Sequence, residues 1–147
     1  MDEHTAIARG SNLGVSRKFA VEVARCIRGK NVGAAKDFLQ QVIAQKKAVP
    51  FHRYDFDLGH KRGGIGPGRY PLKTAHALLQ VLKSAEANAE EKGLDIQSLY
   101  ISLALVNKGN TLRKPGRHRG RQAKRTHVVF VLTERPAPQK QTPEKKS

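Results

Sequence analysis

Residues 99–132 of the chain read LYISLALVNKGNTLRKPGRHRGRQAKRTHVVFVL. Apolar runs from Leu99 to Val106 and from Val128 to Leu132 have the composition and period of β-strands. The side chains predicted to share one buried face of the first strand are Leu99, Ile101, Leu103 and Leu105. Two strands joined by a long polar segment predict an antiparallel β-hairpin.

The connecting segment, Asn107 to His127, carries no acidic residue. Its basic residues are Lys108, Arg113, Lys114, Arg117, Arg119, Arg121, Lys124 and Arg125. Long loops in compact domains are usually functional or disordered, and concentrated positive charge favours a polyanion as the partner, above all nucleic acid. Because like charges do not pack together without counter-charge, we expect the distal hairpin to become ordered on binding.

The whole chain is basic, but the charge is unevenly distributed. Its 147 residues include 28 Lys and Arg against 12 Asp and Glu, a formal charge of +16. We predict one domain over residues 1–135, with the hairpin extension at about 107–127. Residues 136–147 are rich in Pro, Lys and Gln and lack apolar periodicity, so we predict a disordered tail.

Cysteine usage and hydropathy exclude several classes of protein. A single cysteine, Cys26, leaves no internal disulfide and no cysteine-built zinc site, and we expect it to be a small buried side chain. Residues 1–12 do not resemble a secretory leader, and no apolar run approaches the roughly 20 residues that span a bilayer. We expect a soluble intracellular protein with no membrane partner.

Three helices are predicted from apolar periodicity and helix-end residues. The first covers about Arg17 to Arg28, with Ser16 as N-cap and Gly29 as terminator; the second follows Asn31; the third runs from Pro71 to Gly93. The first helix carries basic residues outside its apolar stripe, namely Arg17, Lys18, Arg25 and Arg28. Such a face is most often merely solvated, so by itself it indicates RNA binding only weakly.

The segment from Val49 to Tyr70 breaks the helical pattern and is predicted to be a loop insertion. Phe51, Tyr54 and Phe56 are expected to pin it to the core, with stacking on bases as the alternative. The spacing of His52 and His60 matches no recognised set of metal ligands, so we expect no metal site and no cofactor. No nucleophile motif occurs, and we expect no enzyme; a hydrolase using the His52 to His60 loop is the remaining catalytic alternative.

Three dispersed segments, in order, resemble a known family. They are SNLGVSRKFAVEVARCIRGK near the start, LKSAEANAE in the third helix and RHRGRQAKRTHVVFVLTE near the end. These segments resemble the universal large-subunit ribosomal protein family, numbered twenty-two in bacterial and seventeen in eukaryotic naming. The segment VPFHRY favours the archaeal and eukaryotic form.

The resemblance implies a fold and a set of partners. The fold would be α+β, with three helices packed on a small three-stranded antiparallel sheet and a long extended β-hairpin projecting from it. The protein would be a structural constituent of the large subunit of cytoplasmic ribosomes. Its partners would be large-subunit rRNA, neighbouring ribosomal proteins and the nascent peptide in the exit tunnel.

The resemblance also implies roles for individual residues. The hairpin tip that would help to line the tunnel is Arg117, His118, Arg119, Gly120 and Arg121. The residues expected to bind rRNA, including the basic helix face and hairpin arms, are Arg9, Ser11, Asn12, Arg17, Lys18, Arg25, Arg28, Lys108, Arg113, Lys114, Lys124 and Arg125. The alternative function is a free-standing RNA- or DNA-binding protein, such as an RNA chaperone or a chromatin-associated module.

Overall fold

A computed structural model describes residues 4–55, 57–118 and 120–134 of the chain. Phe56, Arg119 and the tail predicted to be disordered, residues 136–147, lie outside these ranges. The helices are α1 (Arg17–Ile27), α2 (Val32–Ile43) and α3 (Leu72–Glu91). The strands are β1 (Thr5–Leu13), β2 (Val49–Pro50), β3 (His60–Lys61), β4 (Gly66–Arg69), β5 (Leu99–Lys108), β6 (Leu112–Arg113), β7 (Gln122–Ala123) and β8 (Thr126–Glu134).

The main sheet has three antiparallel strands in the order β1, β8, β5. The helices lie on one of its faces: α3 packs on β1 and β8, and α1 packs on β5. Phe130 and Leu132 of β8 are fully buried against this layer, together with Leu78 and Leu82 of α3. The predicted α+β class is confirmed, and so are the three helices within a residue or two of the expected ends.

The helix ends lie where they were predicted, but the expected N-cap hydrogen bonds are not formed. Ser16 and Asn31 occupy the N-cap positions of α1 and α2, yet neither side chain makes a capping hydrogen bond. Gly29 has φ +76°, a left-handed conformation that favours glycine, and it lies just beyond the end of α1. The glycine therefore ends α1 as predicted.

The buried face of β5 differs from the sequence prediction. The pairing of β5 with β8 shifts between Ile101 and Leu103, where Ser102 donates its hydroxyl to the carbonyl of Val131 at 3.0 Å. An extra residue in a strand reverses the inward and outward alternation beyond it. Ala104 is consequently buried, and the prediction that Leu103 and Leu105 share the buried face is wrong: they are 37% and 42% exposed.

The insertion from Val49 to Tyr70 is not only a loop. Its strands form a second small antiparallel sheet in the order β2, β4, β3. Phe51 is fully buried and meets Phe19 of α1 edge to face at a centroid distance of 5.2 Å, so it pins the segment to the core as expected. The glycine- and proline-rich sequence of β4 has low β-propensity, so the sequence did not predict a strand there. Its pairing with β2 and β3 depends on tertiary contacts.

Candidate nucleic-acid interface

The basic segment forms the distal part of a hairpin. The β5 and β8 ladder runs from Leu99 opposite Glu134 to Lys108 opposite Thr126, and β6 pairs with β7 further out. The turn beyond them is closed by hydrogen bonds from the Lys114 N–H to the Arg121 carbonyl and from the Arg121 N–H to the His118 carbonyl, at 3.0 and 3.1 Å. The predicted tip residues that the structure describes are therefore grouped in one turn.

The basic arms and tip of this hairpin are open to solvent. The exposed residues are Lys108, Arg113, Lys114, Arg117, His118, Gly120, Arg121 and Lys124, whereas Arg125 is half-buried. None of the ion pairs among the described residues involves these cations. Arg119 was also predicted for the tip and lies outside the described residues. The positive charge of the arms is thus available to an external anion.

The end of β1 is joined to the base of the hairpin. The N–H of Asn12 donates to Nδ1 of His127 at 3.3 Å, and Nη1 of Arg125 donates to the carbonyl of Asn12 at 3.4 Å. Asn12 adopts φ +54°, within the irregularity between Gly10 and Leu13 in the pairing of β1 with β8. These contacts place the predicted residues Ser11 and Asn12, both exposed, beside the hairpin arm.

A groove of about 280 Å³ lies where the first turn of α1 meets the hairpin arms. The basic residues that line it are Arg17, Lys18, Lys108, Lys124 and Arg125, and no acidic residue is among its lining. We call this site the hairpin-base groove. It brings five residues predicted for rRNA binding, from two separate parts of the sequence, to one surface.

Lys73 extends the same surface, and sequence reasoning missed it. It lines a neighbouring cavity together with Lys114, Lys124 and Arg125. Lys73 lies in the first turn of α3, as Arg17 and Lys18 lie in the first turn of α1, and neither turn contains an acid. Cations are unfavourable at a helix N-terminus, where the macrodipole favours anions. A basic residue at a predicted helix N-terminus could therefore have indicated the site from sequence, because a bound external anion would compensate the unfavourable charge.

Arg25 and Arg28 belong to a different surface from Arg17 and Lys18. They line a groove of about 340 Å³ between α1 and β5, which Arg53 of the insertion also lines. Nη2 of Arg28 donates to the carbonyl of Ala104 at 3.1 Å, so one arginine is fixed by the sheet edge. We call this site the α1–β5 groove. Arg53 was not predicted, because its position depends on the docking of the insertion.

Arg9 stands apart from both grooves. It is exposed on β1, where it lies opposite Val129 of β8. Its neighbours Ala6 and Ala8 point into the core, and the alternation of a strand directs Arg9 to the opposite side of the sheet from Ala8. The structure therefore does not bring Arg9 together with the residues of the hairpin-base groove.

Among the described residues, no group of three His, Cys, Asp or Glu side chains is placed to hold a metal ion. The helices of this part of the chain are too short or too polar to cross a membrane. Cys26 was expected to be buried and is half-buried; its partial burial raises the pKa of the thiol above its usual 9.0, and this effect exceeds the opposing influence of the Lys30 charge. A thiol held protonated is a poor nucleophile.

Comparison with known proteins identifies the family. The family model described as Ribosomal protein L22p/L17e matches residues 8–132. Three similar curated proteins, each named large ribosomal subunit protein uL22, come from the archaea Methanococcoides burtonii, Methanothrix thermoacetophila and Methanocaldococcus jannaschii. In that order, they are 41%, 43% and 39% identical to this chain. The matches cover 90%, 88% and 90% of this chain and 91%, 90% and 89% of the relatives' own lengths. The chain therefore belongs to the ribosomal protein L22p/L17e family, in its archaeal type.

Proposed function

We propose that this protein is a structural, non-catalytic component of the large subunit of cytoplasmic ribosomes and that it binds rRNA through the hairpin-base groove and the hairpin arms. The observation that carries the proposal is the groove itself, which is lined by five cations and no acidic residue where the first turn of α1 meets the hairpin arms. Phosphate groups fit such a site because they bind both to free N–H groups of a helix N-terminus and to Lys and Arg side chains. The names of the curated relatives support the assignment to the large subunit.

The hairpin tip has a separate proposed role. Arg117, His118, Gly120 and Arg121 lie in the turn furthest along the hairpin from the main sheet, and Arg119 belongs to the same stretch of sequence. We place this turn at the wall of the nascent-peptide tunnel, in line with the family resemblance of this segment. The arms then hold rRNA while the tip faces the peptide, and neighbouring ribosomal proteins cover part of the domain.

Assembly into subunits tests the rRNA-binding proposal. The variant Lys108→Gln/Lys124→Gln removes two cations of the hairpin-base groove, and the matched control Lys46→Gln/Lys83→Gln removes two exposed cations elsewhere. We expect the first variant to be depleted from large subunits washed at high salt and the control to be retained like the unmodified chain. Equal retention of both variants would refute the role of the groove. Complete release of the unmodified chain at moderate salt would favour the free-standing nucleic-acid binder.

Cross-linking tests the proposed role of the tip. A photoreactive residue is introduced at position 117 or 121, and a control residue at position 83 in the exposed part of α3. Ribosomes are then stalled with a labelled nascent chain. We expect cross-links to the nascent chain from positions 117 and 121 and none from position 83. Cross-links from the tip to rRNA alone would contradict the tunnel assignment.

A further inference from the structure

Glu22 is a fully buried acidic residue in the middle of α1. Its carboxylate accepts three backbone hydrogen bonds from the insertion: from the N–H groups of Arg53 and Tyr54 at 2.9 Å each, and of His52 at 3.3 Å. Burying a carboxylate is unfavourable unless its charge is compensated, and successive backbone N–H groups provide such compensation. Glu22 therefore fixes residues 52–54 against α1.

The fixed segment places Tyr54 beneath a cluster of cations. The guanidinium carbons of Arg17 and Arg53 and the ammonium nitrogen of Lys18 lie 5.9, 5.5 and 5.9 Å from the centre of the Tyr54 ring. One acid, Asp55, lies near them and contacts Lys18 at 3.4 Å. We call Arg17, Lys18, Arg53 and Tyr54 the Tyr54 patch. Its cation–π contacts orient the cations but do not remove the repulsion between their positive charges. A bound anion would offset that repulsion.

The Tyr54 patch connects the two basic grooves. Arg17 and Lys18 also line the hairpin-base groove, and Arg53 also lines the α1–β5 groove with Arg25 and Arg28. Arg17 and Lys18 lie at the start of α1, and Arg25 and Arg28 lie at its end. The 11 residues of this helix correspond to about 16 Å at 1.5 Å per residue. A continuous cationic path of this length suits the repeating phosphates of an extended polyanion better than a single small ion.

We propose that the insertion from Val49 to Tyr70 contributes Arg53 and Tyr54 to rRNA binding, that the Tyr54 patch takes a backbone phosphate of an rRNA strand, and that Glu22 is its positioning residue. The inference rests on the proposed function and extends it to a segment for which the sequence offered only base stacking by its aromatic residues, and that as the alternative to a structural role. Phosphate is favoured over a stacked base because three cations already lie over the Tyr54 ring. Arg and Lys reach phosphate oxygens from such positions with charge-assisted hydrogen bonds.

The salt dependence of binding tests the patch. Full-length variants are bound to deproteinised large-subunit rRNA in filter assays over a range of salt concentrations. We expect Arg53→Gln to reduce the log-log salt slope by about 1, the change for one lost phosphate contact. The matched control, Arg62→Gln, removes an exposed arginine of the same insertion that lies in neither groove, and it is expected to leave the slope unchanged. Equal slopes for the two variants would overturn the proposal.

A double-variant experiment distinguishes the positioning role of Glu22 from a purely structural one. Glu22→Gln keeps the size of the side chain, but its neutral amide has one acceptor oxygen and turns an NH₂ group towards backbone donors. We expect it to reduce the salt slope by about 1 and to add no further reduction in an Arg53→Gln background. An additive effect of the two changes would mean that Glu22 does not act through the patch.

The failure of this inference is distinguishable from the failure of the proposed function. If the unmodified chain does not bind large-subunit rRNA, the proposed function is wrong. If it binds, and Lys108→Gln/Lys124→Gln reduces the slope while Arg53→Gln does not, only the Tyr54 patch is refuted. Because Arg53 is exposed, the Arg53→Gln variant tests the patch even if Glu22→Gln does not fold.

Discussion

Thr126 donates its side-chain hydroxyl to the backbone carbonyl of Val15 at 2.9 Å, and both residues are buried. Thr126 begins β8 and lies opposite both Lys108 of β5 and Leu13 of β1. Val15 lies in the segment that leads into α1. One hydrogen bond thus joins the base of the hairpin to the approach to α1, the two parts that form the hairpin-base groove.

Replacing Thr126 tests the importance of this hydrogen bond. Thr126→Val keeps the volume but removes the donor to a buried carbonyl, and we expect a loss of about 1–3 kcal/mol in the free energy of unfolding measured in urea. Thr126→Ser is the control, because it keeps the hydroxyl and loses one methyl group, for about 1 kcal/mol. A Val variant that is more stable than the Ser variant would show that packing, not the hydrogen bond, holds the hairpin base.

Gly109 provides a second test of the hairpin base. Its N–H donates to the carbonyl of Arg125 at 2.8 Å, and an added Cβ would lie 3.0 Å from the carbonyl carbon of Arg125. Because backbone atoms have little freedom to give way, Gly109→Ala is expected to lower the free energy of unfolding by about 1–3 kcal/mol. Gly120→Ala, where an added Cβ meets no described atom within 4 Å, is the control and should change it by less than about 0.5 kcal/mol. Similar values for the two variants would contradict the close approach.

The charge of the hairpin predicts a steep salt dependence of RNA binding. The segment from Asn107 to His127 holds eight Lys and Arg residues. If each neutralises one phosphate, the log-log slope contributed by the segment is about −6 to −7, from the factors for single strands and duplexes; if only the five arm residues do so and the three tip arginines face the tunnel, it is about −4. The measurement compares rRNA binding by the full chain with binding by a variant in which these eight residues are Gln. A difference in slope near −2 would remove most of the segment from the interface.

The raised pKa of Cys26 predicts low reactivity and a specific pH dependence. Burial favours the neutral thiol in the folded state, so alkylation by iodoacetamide at pH 8, followed by mass spectrometry, should be slower in the native protein than in urea. The folded state also holds this proton more tightly than the unfolded state. The associated stability is therefore fully present below the usual thiol pKa of 9.0 and is lost as the pH rises above it.

Comparison with Cys26→Ala isolates that pH effect from other titrations. The difference in unfolding free energy between the unmodified chain and the variant should be constant at neutral pH and shift against the unmodified chain above pH 9.0. A difference that does not change with pH, or a native thiol that reacts as fast as the unfolded one, would contradict the effect of partial burial on Cys26.

Local sequence patterns were sufficient for the parts of the fold that depend on local chemistry. The apolar spacing in α1, α2 and α3 predicted their extents, and Gly29 marked the end of α1, because helical periodicity and left-handed backbone geometry are properties of a few neighbouring residues. The acid-free segment from Asn107 to His127 likewise indicated a polyanion partner without any coordinates. Residues of the hairpin arms and of the first turn of α1 were predicted individually, but nothing in the sequence showed that they share one groove.

Other features depended on contacts between distant residues, and no local pattern predicted them. The outward direction of Leu103 and Leu105 follows from the shifted pairing at Ser102 with β8. Lys73 reaches the hairpin only through the packing of α3, and Arg53 reaches α1 through the docking of the insertion, which Phe51 and Glu22 both hold. The sequence by itself determined the helices, the hairpin and the sign of the charge, since these are set by short-range periodicity and composition. The tertiary structure alone decided which cations meet, because that depends on strand register and on where a buried carboxylate finds its donors.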